Sequence, residues 1–111
     1  ILRCLVGSEM CIRDSCKSIS KGAVKHNVTI NNLLPERIDT PRQEHMAQVA
    51  MKLGGISYEE ARQQQVDSIA AGRLGLPDEF ADACAYLCSA QSGYISGQNL
   101  QLDGGSYDGL I

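Results

Sequence analysis

A chain of 111 residues, 43% hydrophobic and 21% charged, is long enough for one small domain with its own core. Its 10 lysines and arginines face 13 aspartates and glutamates, for a net charge of −3, and never form a run, which excludes electrostatic capture of nucleic acid or of an anionic membrane surface. No apolar stretch approaches the roughly 20 residues of a membrane span.

Residues 1–15 (Ile-Leu-Arg-Cys-Leu-Val-Gly-Ser-Glu-Met-Cys-Ile-Arg-Asp-Ser) show neither a helical nor a two-residue period. The run from Cys4 to Ser15 is similar to read-through of library adapter sequence, so residues 1–15 are expected to be a non-native leader. From Ser15 to Lys25, Ile19, Ala23 and Val24 fall at helical spacing between lysines expected to face water, and His26 and Asn27 close the helix. Val28–Leu34 reads as a strand, β-branched at first and then Leu33-Leu34, with Pro35 expected to stop its ladder for want of an N–H. Residues 41–56 carry a helical pattern through Met46, Val49, Ala50 and Leu53, opened by Pro41 and stopped by Gly54-Gly55.

Ser57-Tyr58-Glu59-Glu60 is a capping box, in which the Ser57 hydroxyl accepts from the Glu60 N–H while the Glu60 carboxylate accepts from the Ser57 N–H. It predicts a helix from Tyr58 to about Ala71 that buries Ala61, Val66, Ile69 and Ala70. After Pro77, Phe80, Ala83, Cys84, Leu87 and Cys88 form one apolar stripe, with Asp78 and Glu79 in the first turn, where negative charge is favoured. Cys84 and Cys88 are therefore expected in the core as small hydrophobes. Gln98–Leu102 is a second short strand between Gly97 and Asp103-Gly104-Gly105, the last three being a turn.

The five cysteines are odd in number and lack a C-x-x-C spacing, and no secretory signal is recognisable, so reduced thiols and a cytoplasmic setting are expected. His26 and His45 fall in unrelated segments, which argues against both a metal site and a Ser/His/Asp set. Two strands joined through helices imply a right-handed crossover and a parallel pair, an α/β arrangement in which ligands bind beyond the carboxyl ends of the strands. The loop Pro35–Thr40 lies at that edge.

Three segments carry a resemblance: Asn27–Thr40, Arg73-Leu74-Gly75-Leu76-Pro77-Asp78-Glu79, and Tyr94-Ile95-Ser96-Gly97 with the strand after it. In order and spacing, over about residues 16–107, they resemble the last third of a short-chain dehydrogenase/reductase, similar to its 3-oxoacyl thioester reductase members. The resemblance implies the C-terminal part of a Rossmann-type doubly wound parallel sheet, incomplete here, with two short parallel strands, about four helices and a substrate lid over about 41–72. It implies a parent enzyme that uses NAD or NADP to interconvert an alcohol and a ketone on a small-molecule substrate, as a homo-oligomer.

Pro35-Glu36-Arg37-Ile38-Asp39-Thr40 stands where the family has a Pro-Gly-x-x-x-Thr loop under the nicotinamide. By that resemblance Pro35, Ile38 and Thr40 are cofactor-binding, with the Ile38 backbone on the carboxamide and the Thr40 hydroxyl on the carboxamide or pyrophosphate. Glu36 replaces the glycine, and a carboxylate about 6 Å from a phosphate costs about 3 kcal/mol at an effective dielectric near 20. No Gly-x-x-x-Gly-x-Gly loop is present, and none of Tyr58, Tyr86, Tyr94 and Tyr107 has a lysine four residues later. No catalytic residue is therefore assigned, and the chain alone is not expected to transfer hydride. The competing reading is a non-catalytic interaction or oligomerisation module, or a truncated product without function.

Overall fold

The computed structural model describes residues 8–109. Helix α1 (Ser8–Ala23) runs into a 3₁₀ turn (Val24–His26), followed by β1 (Asn32–Pro35), α2 (Pro41–Gly54), α3 (Tyr58–Val66), α4 (Pro77–Leu87), a second 3₁₀ turn (Ala90–Ser92) and β2 (Asn99–Leu102). Contacts divide the chain into two units, one of residues up to Leu34 with Ala83–Leu100, the other of Pro35–Asp82 with residues from Gln101 onward. Among the described residues no helix is long and apolar enough to cross a membrane.

The strands pair in parallel, as expected. The Asn32 N–H donates to the Gln98 carbonyl at 2.8 Å and the Glu36 N–H to the Leu102 carbonyl at 3.1 Å, so the register advances by four residues on both strands together. Pro35 does not stop the ladder. Donors to β2 fall on even-numbered residues, so the missing N–H of Pro35 belongs to the other edge of the strand. β1 is shorter at its start than Val28–Leu34, because side chains take over there: Ser96 Oγ accepts from the Ile30 N–H at 3.2 Å, and Asn31 Oδ1 from the Gln98 N–H at 3.1 Å.

In the first unit the helix begins at Ser8, inside the segment read as aperiodic; residues 1–7, with Cys4, lie outside the described ones. Asn27 closes it in the left-handed region (φ 62°), its N–H on the Val24 carbonyl. The covered face of α1 differs from the expected one. Ser20 is buried and Cys16 and Ala23 half-buried, whereas Ile19 is 58% exposed and Val24 43%. Ser20 fits because Gly97 lies against it: a β-carbon at Gly97 would come 2.6 Å from Ser20 Oγ, and the hydroxyl is satisfied by the Lys17 carbonyl at 2.7 Å. Lys17, expected to be solvated, donates its Nζ to the Gly97 carbonyl at 3.1 Å. Cys84 and Cys88 are exposed, a second correction; in this unit Ala83 and Leu87 are the covered residues of α4.

In the second unit the buried apolar side chains are Ala47, Ala61, Ile69 and Leu74. Helix α2 ends as expected, with Gly55 in the left-handed region (φ 61°). It buries Ala47, however, and leaves Met46 half-exposed and Leu53 out in solvent. The capping box at α3 is formed in full, with Glu60 N–H to Ser57 Oγ at 3.2 Å and Ser57 N–H to Glu60 Oε2 at 3.0 Å. The helix stops at Val66, short of Ala71, and Ala70 is exposed. The chain turns there so that the Ala71 N–H meets the Gly104 carbonyl at 2.9 Å, a tertiary bond that a continued helix would forgo.

Candidate functional site

The loop after β1 is built by two main-chain bonds to the segment before α4. Asp39 N–H donates to the Gly75 carbonyl at 2.7 Å, and Gly75 N–H to the Arg37 carbonyl at 3.1 Å, a single parallel bridge between Ile38 and Gly75. In such a bridge the flanking residues 37 and 39 spend their groups on the partner, so the N–H and C=O of Ile38 itself point the other way. Among the described residues neither meets a hydrogen-bond partner.

Pro35, Ile38 and Thr40, the three residues expected to bind cofactor, line one open cleft of about 660 Å³, so the fold brings them together. Its opposite wall is Arg42, Gln43, Met46 and Ala50 of α2 with Ala61, Gln64 and Gln65 of α3. Thr40 is the residue preceding α2, extended at φ −132°, ψ 170°, yet its hydroxyl makes no capping bond; its carbonyl takes the Gln43 and Glu44 N–H groups instead.

Glu36, which stands at the family's glycine and was expected to place a carboxylate near the cofactor phosphate, is not in the left-handed region. The left-handed residue is instead Arg37, at φ 54°. A side chain in that region costs about 1–2 kcal/mol. Arg37 Nη1 donates to the Gln65 carbonyl at 2.6 Å, and Arg37 Nε lies 3.6 Å from Glu36 Oε1. The half-exposed Glu36 carboxylate thus has a cation beside it.

Further polar side chains tie the loop to α2 and α3, and the sequence did not reveal them. Arg62 Nη2 meets Asp39 Oδ1 at 2.8 Å, Arg62 Nη1 meets Gln65 Oε1 at 3.2 Å, and Gln65 Nε2 donates to the Gln43 carbonyl at 2.8 Å. The hydrogen bond to Asp39 holds the Arg62 guanidinium above its ordinary value, against a smaller effect of burial. Only the three-residue step from Arg62 to Gln65 was readable in advance; the partner 23 residues away was not. On the exposed side, Tyr58 Oη donates to Glu44 Oε2 at 2.7 Å, which raises the phenol and, with Gln48, lowers the carboxyl. Beyond the bridge, Arg73 forks onto Glu79 at 2.6 and 2.9 Å and the Leu76 N–H adds a third bond, so the Glu79 carboxyl falls to about 2. A second cleft of about 700 Å³ contains Asp39, Tyr58, Arg62 and Arg73, and both its arginines are already paired. Among the described residues no three His, Cys, Asp or Glu side chains converge as a metal site.

The family model described as enoyl-(acyl carrier protein) reductase matches residues 8–107. The chain belongs to the short-chain dehydrogenase/reductase family. It is 37% identical over 93 residues to the NADPH-dependent reductase BacG of Bacillus subtilis, covering 84% of this chain and 36% of that protein. It is 32% identical over 91 residues to the 3-oxoacyl-[acyl-carrier-protein] reductase FabG of Vibrio cholerae, covering 82% and 33%. Among solved structures it superposes on L-sorbose reductase of Gluconobacter frateurii, crystallised with NADPH and L-sorbose, with a TM-score of 0.83 at 25% identity, covering 91% of this chain and 39% of that one. The chain thus spans about a third of the length of these relatives. As part of this family, its parallel pair and four helices are the elements of a Rossmann-type reductase fold.

Proposed function

We propose that the loop Pro35–Thr40 and its cleft receive the nicotinamide end of NAD or NADP, in a reductase that interconverts an alcohol and a ketone on a small-molecule substrate. The observation that carries this is the uncommitted N–H and C=O of Ile38, turned away from Gly75 in a residue that lines the cleft. A carboxamide offers one acceptor and paired donors, and so complements a main-chain N–H and C=O at one residue. Thr40 adds a hydroxyl without a capping duty, and Pro35 fixes the backbone where the loop leaves the strand. A nicotinamide bound there would give the hydride to the ketone or take it from the alcohol.

The residues of this chain orient the ring and, through α2 and α3, cover it from water. They supply no Tyr-x-x-x-Lys pair to move the proton, so the chain alone transfers no hydride. A cytoplasmic setting, in which exposed Cys84 and Cys88 stay reduced, and a homo-oligomeric parent go with this reading.

Titrating the isotope-labelled chain with nicotinamide mononucleotide while following backbone amides by NMR tests it. Shifts centred on Ile38 and Thr40 are expected; an unmoved loop refutes the assignment. NAD(P)H oxidation by the purified chain with a carbonyl substrate would contradict the claim that it is inactive alone.

A second reading, a non-catalytic interaction module, is favoured by large apolar side chains exposed in the first unit, Tyr86, Tyr94 and Leu100, of which Tyr94 is fully solvated. Specific oligomers in sedimentation without nucleotide binding support that module; a monomer removes it.

A further inference from the structure

We propose that Arg62 is a positioning residue of this site, holding the loop main chain at Ile38 in register from the lid helix α3. The inference rests on the reading of loop 35–40 as the nicotinamide site and adds to it a residue outside the loop.

The geometry singles out Arg62 because of where its two terminal nitrogens go. One takes Asp39, the residue after Ile38, at 2.8 Å. The other takes the Gln65 side chain, and the Gln65 carbonyl in turn accepts from Arg37, the residue before Ile38, at 2.6 Å. Each neighbour of Ile38 is thus held twice, by its main chain to Gly75 and by its side chain to α3. Ile38, which spends no main-chain group on either anchor, is left at the centre of a clamp. An arginine whose only task was to stabilise α3 would pair only along that helix; this one keeps one nitrogen on Gln65 of α3 and reaches off the helix with the other to a loop carboxylate. Its side chain is 23% exposed and that of Asp39 42%, so solvent screens the pair only in part. The planar fork matters as well, since it aims one nitrogen at Asp39 and the other at Gln65, whereas a lysine has a single nitrogen without that fixed fork.

The test uses the full chain with R62M and R62K. Amide hydrogen exchange at Asp39 and Gly75, whose N–H groups form the bridge, reads the clamp without ligand; nicotinamide mononucleotide affinity reads its consequence. In R62M, exchange at these two amides should rise roughly tenfold while α2 and α4 keep their protection, and the mononucleotide should bind roughly tenfold more weakly. R62K should recover part of both, because it keeps the contact to Asp39. Unchanged exchange at Asp39 and Gly75 in R62M overturns the proposal, as does a uniform rise along the whole chain, which marks Arg62 as a general stabiliser. If the wild-type chain shows no mononucleotide response while Asp39 and Gly75 still lose protection in R62M, the cofactor reading fails and the clamp stands.

Discussion

Replacing Gly104 by alanine should be among the most damaging single-methyl changes available in this chain. Gly104 has φ +59°, and a β-carbon there would lie 2.8 Å from Ile69 Cγ2 and 3.2 Å from Ala71 Cβ. Neither neighbour can yield easily. Ile69 is 5% exposed and its Cγ2 is fixed to the β-carbon, and Ala71 is tied to Gly104 by the bond between its N–H and the Gly104 carbonyl. The left-handed backbone costs about 1–2 kcal/mol with a side chain, and overpacking a filled site typically costs about 1–3 more. A total near 2–5 kcal/mol is a large part of the stability of a small domain, and at about 4 °C per kcal/mol it lowers the melting temperature by about 8–20 °C. Gly22→Ala is the matched control: it lies in α1, has no positive φ, and its β-carbon meets nothing within 4 Å. It should stabilise the chain by about 0.5–1 kcal/mol. Thermal unfolding followed by far-UV circular dichroism compares the two. A Gly104→Ala melting temperature equal to wild type, or a Gly22→Ala value below it, would refute the reasoning.

Glu79 supplies a pH-dependent prediction. Its carboxyl is lowered to about 2 by the hydrogen bonds from Arg73 and the Leu76 N–H, so its stabilising effect is full above the ordinary carboxylate value near 4.3 and is lost as pH falls through about 2. Urea midpoints of wild type and Glu79→Gln should therefore differ at neutral pH and converge toward about pH 2; a constant gap is the contrary result. Cys84 and Cys88 should react with maleimide in the native chain faster than half-buried Cys16, as mass spectrometry of digested samples would read, and protection of Cys84 and Cys88 until denaturant is added would contradict their exposure.

Local signals were legible where the chemistry is local. The capping box at Ser57 and Glu60, the stop at Gly54-Gly55 and the helix end at Asn27 each follow from a few adjacent residues, and each is formed. The faces of the helices were less so, because burial is decided by what lies opposite. On α1 the apolar periodicity pointed to Ile19 and Val24, but the surface that packs closely is the one small enough to approach Gly97, so Ser20 is covered and Ile19 is not. On α4 the same reasoning swept Cys84 and Cys88 into a stripe of which only Phe80, Ala83 and Leu87 are covered. The end of α3 depended on a bond from Ala71 to Gly104, 33 residues on, which no local pattern encodes. At the candidate site the three lining residues came from the resemblance to the family's loop, whereas Arg62 and Gln65 became visible only when α3 was set beside it.

The departure at Glu36 shows how a family pattern and a backbone requirement can part company. A glycine is needed where φ is positive or where another atom occupies the place of its β-carbon. Residue 36 is not among the positive-φ positions, so a glutamate there costs the backbone nothing special, and its charge is answered by Arg37 at 3.6 Å. The left-handed residue of this loop is Arg37, whose guanidinium offsets the conformational cost with its bond to the Gln65 carbonyl. A close approach is found at Gly75, where a β-carbon would come 2.7 Å from Ile38 Cδ1. The bare backbone in this loop assembly is therefore at the bridge partner of Ile38, where main chain must meet main chain for the Ile38 N–H and C=O to be left free.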